Sequence, residues 1–146
     1  MKISIAADHG GFPLKDPVVK ALRDAGYEVE DFGTFSPDSV DYPDYAKKVG
    51  NSVKHAQSDI GILICTTGIG MSIAANKMIG IRAALAHNED SAEFGRRHNN
   101  ANVLCMGAKY LSPELASKMA VIFAKTQFEA GRHERRVAKF DRMNLD

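Results

Sequence analysis

"IGILICTTGIGMSIAANK" (60–77) decides how the rest of the chain is read. An apolar run over 60–65 ends on Cys65, breaks on Thr66, Thr67 and Gly68, and resumes with helical character. A short uninterrupted apolar strand is what a parallel sheet covered on both faces requires. Gly68 and Gly70 permit backbone geometries and close approaches that a side chain would block. The helix that follows aims its free N–H groups and its positive dipole end at whatever occupies the turn. Cys65 is therefore either a small buried hydrophobe or a thiol set beside a row of donors. In the second case its pKa is expected to fall, making it a base or nucleophile near neutral pH. The same N–H groups could hold an oxyanion or a phosphate.

Outward from this stretch, short β-rich runs alternate with longer amphipathic ones. "KISIAA" (2–7) reads as a buried strand, and "FPLKDPVVKALRDAG" (12–26) as a helix with Leu14, Val18, Leu22 and Ala25 on one face. Pro13 and Pro17 fall in its first turns and Gly26 at its C-cap. Strands are expected over 27–33, 60–65, 81–86 and 101–107, and helices over 41–56, about 71–78, about 90–97 and 112–128. Ser112 is placed to cap the last of these, with Pro113 at its first position. This alternation predicts an α/β chain, a single doubly wound domain with a five-stranded parallel sheet and helices on both faces. With strand order 2-1-3-4-5, the switch point lies between strands 1 and 3. There "DHGG" (8–11) and "CTTGIG" (65–70) would face each other beyond the carboxyl ends of the strands.

The totals are those of an ordinary soluble domain. The 146 residues suffice for one core, with 45% hydrophobic and 25% charged residues. A net charge of +1 gives no reason to expect nucleic acid or a membrane surface as partner. No apolar stretch approaches the roughly 20 residues of a membrane span, and Asp8 and His9 interrupt any signal-peptide core. Cys65 and Cys105 lie in apolar runs rather than in a disulfide framework, so a cytoplasmic setting is expected.

Named motifs can be set aside on single residues. A dinucleotide fingerprint would need glycine at 73, where Ile73 stands, and no P-loop Gly-Lys-Ser/Thr occurs. A cysteine-phosphatase loop would place its phosphate-clamping arginine where Met71 stands. The five histidines show no paired metal-ligand spacing, so no metal is expected. Asp8 and His9 sit side by side at a strand end, as a solvated pair or as two groups a turn aims at one ligand. His98 and Asn99 close a helix, as a dipole-stabilised cap or as site residues. Arg132 and Arg136 are four apart, as a solvated basic tail or as a two-armed grip on one phosphate. Cys105 reads as core.

Taken together, "ADHGGFPLK", "DYPDYA", "ILICTTGIGMSIAANK", "GIRAAL", "RRHNNANVL" and "GRHERRV", in this order, resemble the type B ribose-5-phosphate isomerases and the related galactose-6-phosphate isomerase subunits. The resemblance covers essentially the whole chain, 1–146, as one Rossmann-like domain. It implies an aldose–ketose isomerase acting on ribose 5-phosphate through a cis-enediolate, without metal or cofactor. A hexose 6-phosphate (allose or galactose) isomerase of the same family, or a non-catalytic sugar-phosphate binder, stands as the alternative. It implies Cys65 as the base that moves a proton between C1 and C2, and Thr67 beside the enediolate oxygens. The N–H groups of Thr67, Gly68, Ile69 and Gly70 would hold those oxygens, with Thr66 in the same loop. Asp8, His9 and Asn99 match substrate contacts, His98 the proton donor for ring opening, and Arg132, Arg136 and Lys109 phosphate ligands. It also implies a homodimer, or a tetramer, whose sites are shared between copies. The tail 131–146 would then dock on the partner through Val137, Phe140 and Met143. Two positions depart from the family's usual form. Thr66 replaces a glycine, which would strain the loop if that glycine needed a positive φ. Lys109 replaces an arginine, keeping the charge without the planar fork.

Overall fold

The computed structural model describes residues 1–143. Its chain order is β1 (Lys2–Ala7), α1 (Phe12–Asp24), β2 (Glu28–Asp31), α2 (Tyr42–Lys54), β3 (Ile60–Cys65), α3 (Ile69–Asn76), β4 (Ala83–Leu85), α4 (Glu89–Arg97), β5 (Val103–Gly107) and α5 (Pro113–Lys125). A 3-10 turn, Gly131–His133, then leads into α6 (Glu134–Phe140), a pair of elements the basic composition of 131–142 had concealed. Every strand pairs in parallel.

Alternation along the strands divides the core in two. Ile3, Ile5, Ile62, Ile64, Leu104 and Met106 face one side, where Leu14, Val18 and Leu22 of α1 and Met119 and Phe123 of α5 cover them. Ala6, Leu63, Cys65, Val103 and Cys105 face the other, against Ala46 and Val49 of α2 and Met71 and Ala75 of α3. At roughly 25 cal/mol per Å2 of apolar surface buried, these two layers supply most of the force holding the sheet.

The doubly wound α/β sandwich agrees with the sequence, whereas the far edge of the sheet does not. The order is β2-β1-β3-β5-β4, so β5 rather than β4 lies beside β3. The reason is burial. All five residues of β5 are buried, while the three of β4 are only half-buried and suit an edge. That edge is closed by a side chain: the Asn76 amide donates to the Ala83 carbonyl at 2.9 Å and accepts the Ala83 N–H at 2.8 Å. The switch point between β1 and β3 is unaffected.

Local signals account for the ends of the helices. Ser112 accepts the Leu115 N–H at 3.1 Å, and Asn88 and Ser91 form a reciprocal capping box on α4. Gly26 follows α1 with a φ of 92°, the left-handed residue that terminates a helix at low cost. Pro17 lies deeper in α1 than its first turn. Beneath the site, buried Lys15 pairs with Asp31 at 2.5 Å and lies over the Phe35 ring at 4.5 Å. Asp31 also accepts the Gly33 N–H at 2.8 Å, so the segment after β2 is tied to α1.

Candidate active site

Cys65 is the last residue of β3, buried, with its side chain on the α2–α3 face. The turn brings the Gly68 N–H to 3.1 Å from its sulfur, an N–H donor directed at the atom that would carry negative charge. Gly68 adopts φ 78° and caps α3, so the one left-handed position in the loop falls on a glycine. Thr66 is therefore unstrained: the non-glycine residues of positive φ among those described are Ala56, Asn100 and Ala130. Thr67 accepts the Ile69 N–H on its hydroxyl at 3.3 Å, and Thr67, Ile69 and Gly70 follow Cys65 at the head of α3. The Tyr42 ring lies against Gly70.

Asp8 and His9 leave β1 directly opposite. The Asp8 N–H donates to the Ile64 carbonyl at 3.2 Å, which fixes the two turns against each other. Asp8 is buried and accepts the Gly11 N–H at 2.9 Å. His9 is exposed, and its Nδ1 accepts the Val40 N–H at 3.2 Å, leaving Nε2 to carry the proton of the neutral ring. Gly10 has no room for a side chain, since a Cβ there would come within 2.0 Å of the Thr66 hydroxyl. The Lys109 N–H donates to the Thr66 carbonyl at 2.9 Å, so Lys109 joins the same rim. The structure thus brings together Cys65, Thr66, Thr67, Gly68, Ile69, Gly70, Asp8, His9 and Lys109.

It does not bring the remaining four to them. His98 caps the C-terminus of α4 and Asn99 follows it, ahead of β5, at the amino end of the sheet. There Gly61 donates to the Asn102 carbonyl at 2.8 Å, whereas Cys65 pairs with Gly107 at the other end. Four strand steps of about 3.3 Å put roughly 13 Å of sheet between the two groups. Arg132 lies in the 3-10 turn and Arg136 in α6, both exposed and close enough to His133 to act on it electrostatically. His133 in turn stacks on His98. The predicted residues fall into two separate groups on one chain.

The second group contains residues that no sequence spacing had marked. Arg97 bonds Glu93 at 3.0 Å and Glu129 at 3.1 Å, and the bond to Glu129 holds that carboxyl below its usual range, with the nearby imidazoles contributing less. His98, Glu129 and His133 present ligand atoms within 4.8 Å of one another. The two rings are nearly parallel, at 14°, so their in-plane lone pairs do not converge on one point as a metal requires. With Arg97, Arg132 and Arg136 around it, the cluster suits an anion better than a cation. Cys105 is fully buried, and burial, with a smaller effect of Cys65, pushes its thiol far above the ordinary range.

The sequence profile of the family described as Ribose/Galactose Isomerase matches residues 3–140. The chain belongs to that family. As a ribose/galactose isomerase it is 46% identical over 136 residues to ribose-5-phosphate isomerase B of Escherichia coli (strain K12), covering 93% of this chain and 91% of the relative. A solved structure of Clostridium thermocellum ribose-5-phosphate isomerase B superposes with a TM-score of 0.96 at 46% identity, covering 99% of this isomerase and 98% of that chain. Ribose-5-phosphate isomerase B from Mycoplasma genitalium, solved with bound ribulose 5-phosphate, has a TM-score of 0.94 at 41% identity and covers 99% and 97%. No helix among the described residues of this isomerase is long and apolar enough to cross a membrane.

Proposed function

We propose that this isomerase interconverts ribose 5-phosphate and ribulose 5-phosphate at sites shared between two copies of the chain. The observation that carries the chemistry is the Cys65 sulfur, bonded by the Gly68 N–H and set at the head of α3 opposite Asp8 and His9. The names of the relatives supply the sugar.

Ribose 5-phosphate is mostly a furanose, so C1–O4 must break first. O4 takes a proton from His98 while the anomeric hydroxyl releases one to solvent. The Cys65 thiolate then removes the C2 proton, and the C1 carbonyl becomes an enediolate whose O1 charge the loop N–H groups hold. Cys65 returns its proton to C1. The Thr67 hydroxyl, beside both oxygens, passes the O2 proton to O1, leaving the C2 ketone. Asp8, His9 and Asn99 bind the sugar hydroxyls, and Arg132, Arg136 and Lys109 bind the phosphate. No metal or cofactor is needed for any of these transfers.

Because about 13 Å of sheet separates Cys65 from His98, both reach one sugar when a second copy supplies His98, Asn99, Arg132 and Arg136. Ile69 and Ile73 expose an apolar face of α3 beside the catalytic loop, a surface suited to that contact. Val137 is buried in its own chain, so of the tail residues considered for docking Phe140 and Met143 remain exposed, and 144–146 lie outside the described residues. The unpaired cysteines suit a reducing cytoplasm. Turnover of ribose 5-phosphate by purified protein, unchanged by chelator and compared with allose 6-phosphate and galactose 6-phosphate, tests the assignment. Faster turnover of a hexose phosphate would reassign the substrate, and turnover of none of them would leave only a binding role.

A further inference from the structure

We propose that His133 is the positioning residue for His98, holding its imidazole by stacking rather than by exchanging a proton with it. The inference rests on the reading of His98 as the ring-opening acid.

The geometry points to a clamp. The His98 and His133 rings stack with centroids 4.2 Å apart and planes 14° apart. Phe94 packs on His98 with centroids 4.7 Å apart at a tilt of 55°. His98 is therefore packed against two rings, which restrict its turning about the Cβ–Cγ bond. Its Nε2 lies 3.9 Å from the Glu129 carboxylate, beyond direct hydrogen-bond reach. Glu129 is itself engaged by Arg97.

His133 is not an incidental neighbour. It is buried, yet its Nε2 has no hydrogen-bond partner among the described residues, an arrangement native proteins seldom keep without a use. Its turn also carries a backbone cost. Ala130 takes φ 58° and ψ −133°, a region unfavourable for a residue with a side chain. The segment is nevertheless pinned to α4, because the Glu129 N–H donates to the Arg97 carbonyl at 3.0 Å. Burial and the charges of His98, Arg132 and Arg136 outweigh the opposing pull of Glu129 and disfavour a proton on His133. A neutral, flat partner fixes the plane of the His98 ring and where its nitrogens point.

The two directions of the reaction separate this role from a general structural one. Ribulose 5-phosphate cannot close a five-membered ring, because its 5-oxygen is esterified, so its C1 proton exchanges through Cys65 without ring opening. His133→Ala is expected to lower kcat on ribose 5-phosphate by about 10- to 100-fold, as misplacement of a reacting group does, with KM little changed. Deuterium exchange at C1 of ribulose 5-phosphate in heavy water should stay near wild type. His133→Phe, which keeps a stacking face and has nothing to titrate, should restore turnover of ribose 5-phosphate to near wild type. Equal losses in turnover and exchange for His133→Ala, or a Phe variant that folds but is slow on ribose 5-phosphate, would overturn the proposal. Should the alanine variant not fold, the Phe variant alone decides it. A wild type inactive in both assays would instead overturn the isomerase reading.

Discussion

Cys65→Ala and His98→Ala proteins, each nearly inactive, should regain activity when mixed, and the amount follows from the fold. Cys65 ends β3 beside Gly107, and His98 lies beyond the amino end of β5. The roughly 13 Å between those edges is too far for both side chains of one copy to touch a pentose phosphate. If two copies share each site, a mixed dimer carries one site with both defects and one with neither. Random exchange at equal concentrations makes about half of all dimers mixed, each with one of two sites intact, which gives about one quarter of wild-type activity. Loss of a general acid leaves each parent at about 1% or less, so the recovery is on the order of 25-fold or more. Subunits are exchanged under mild denaturant, mixed dimers are counted by native mass spectrometry with a tag on one parent, and ribulose 5-phosphate formation is followed. Activity that stays at the mean of the two parents, with half the dimers mixed, would refute the shared site.

Further predictions concern the supports of the site. Gly10→Ala places a Cβ against the Thr66 hydroxyl and should destabilise by about 1–3 kcal/mol, whereas adding Thr66→Gly should recover most of it; urea melts of the three variants check this. Lys15→Met leaves the largely buried Asp31 carboxylate without its partner and should cost about 3–5 kcal/mol by the same melts, with Asp31→Asn in combination restoring part. His133 has a pKa below the ordinary imidazole value, mainly through burial, so the unfolded chain takes up a proton first as pH falls. Stability should therefore drop from about pH 6.5 downward and level off below the folded-state value, and His133→Phe should flatten that slope in thermal melts at stepped pH.

The strands, the three-layer class and the reactive loop were legible because their signals are local. The apolar run 60–65, the glycine at the left-handed position and the helix caps all act within a few residues. The exchange of β4 and β5 was not, because both are short apolar runs and only the burial of β5 between α3 and α5, with Asn76 closing the outer strand, separates interior from edge. The basic segment 131–142 hid α6, since its arginines face solvent and its one buried apolar side chain is Val137. His133 escaped notice for a different reason. It is 35 residues from His98, and only the turn at Ala130 and Gly131 lays one ring on the other. Both groups of candidate residues stand out as motifs, but their separation is a property of the sheet, not of any motif.

The central claim is that the Cys65 thiolate moves the C2 proton of the sugar. Heavy-water exchange, read by NMR on ribulose 5-phosphate with wild-type and Cys65→Ala proteins at saturating substrate, tests it most directly. The account predicts rapid deuterium incorporation at C1 with the wild type and essentially none with the alanine variant, which should still be stabilised by the sugar phosphate in a thermal shift. Undiminished exchange by Cys65→Ala would contradict it.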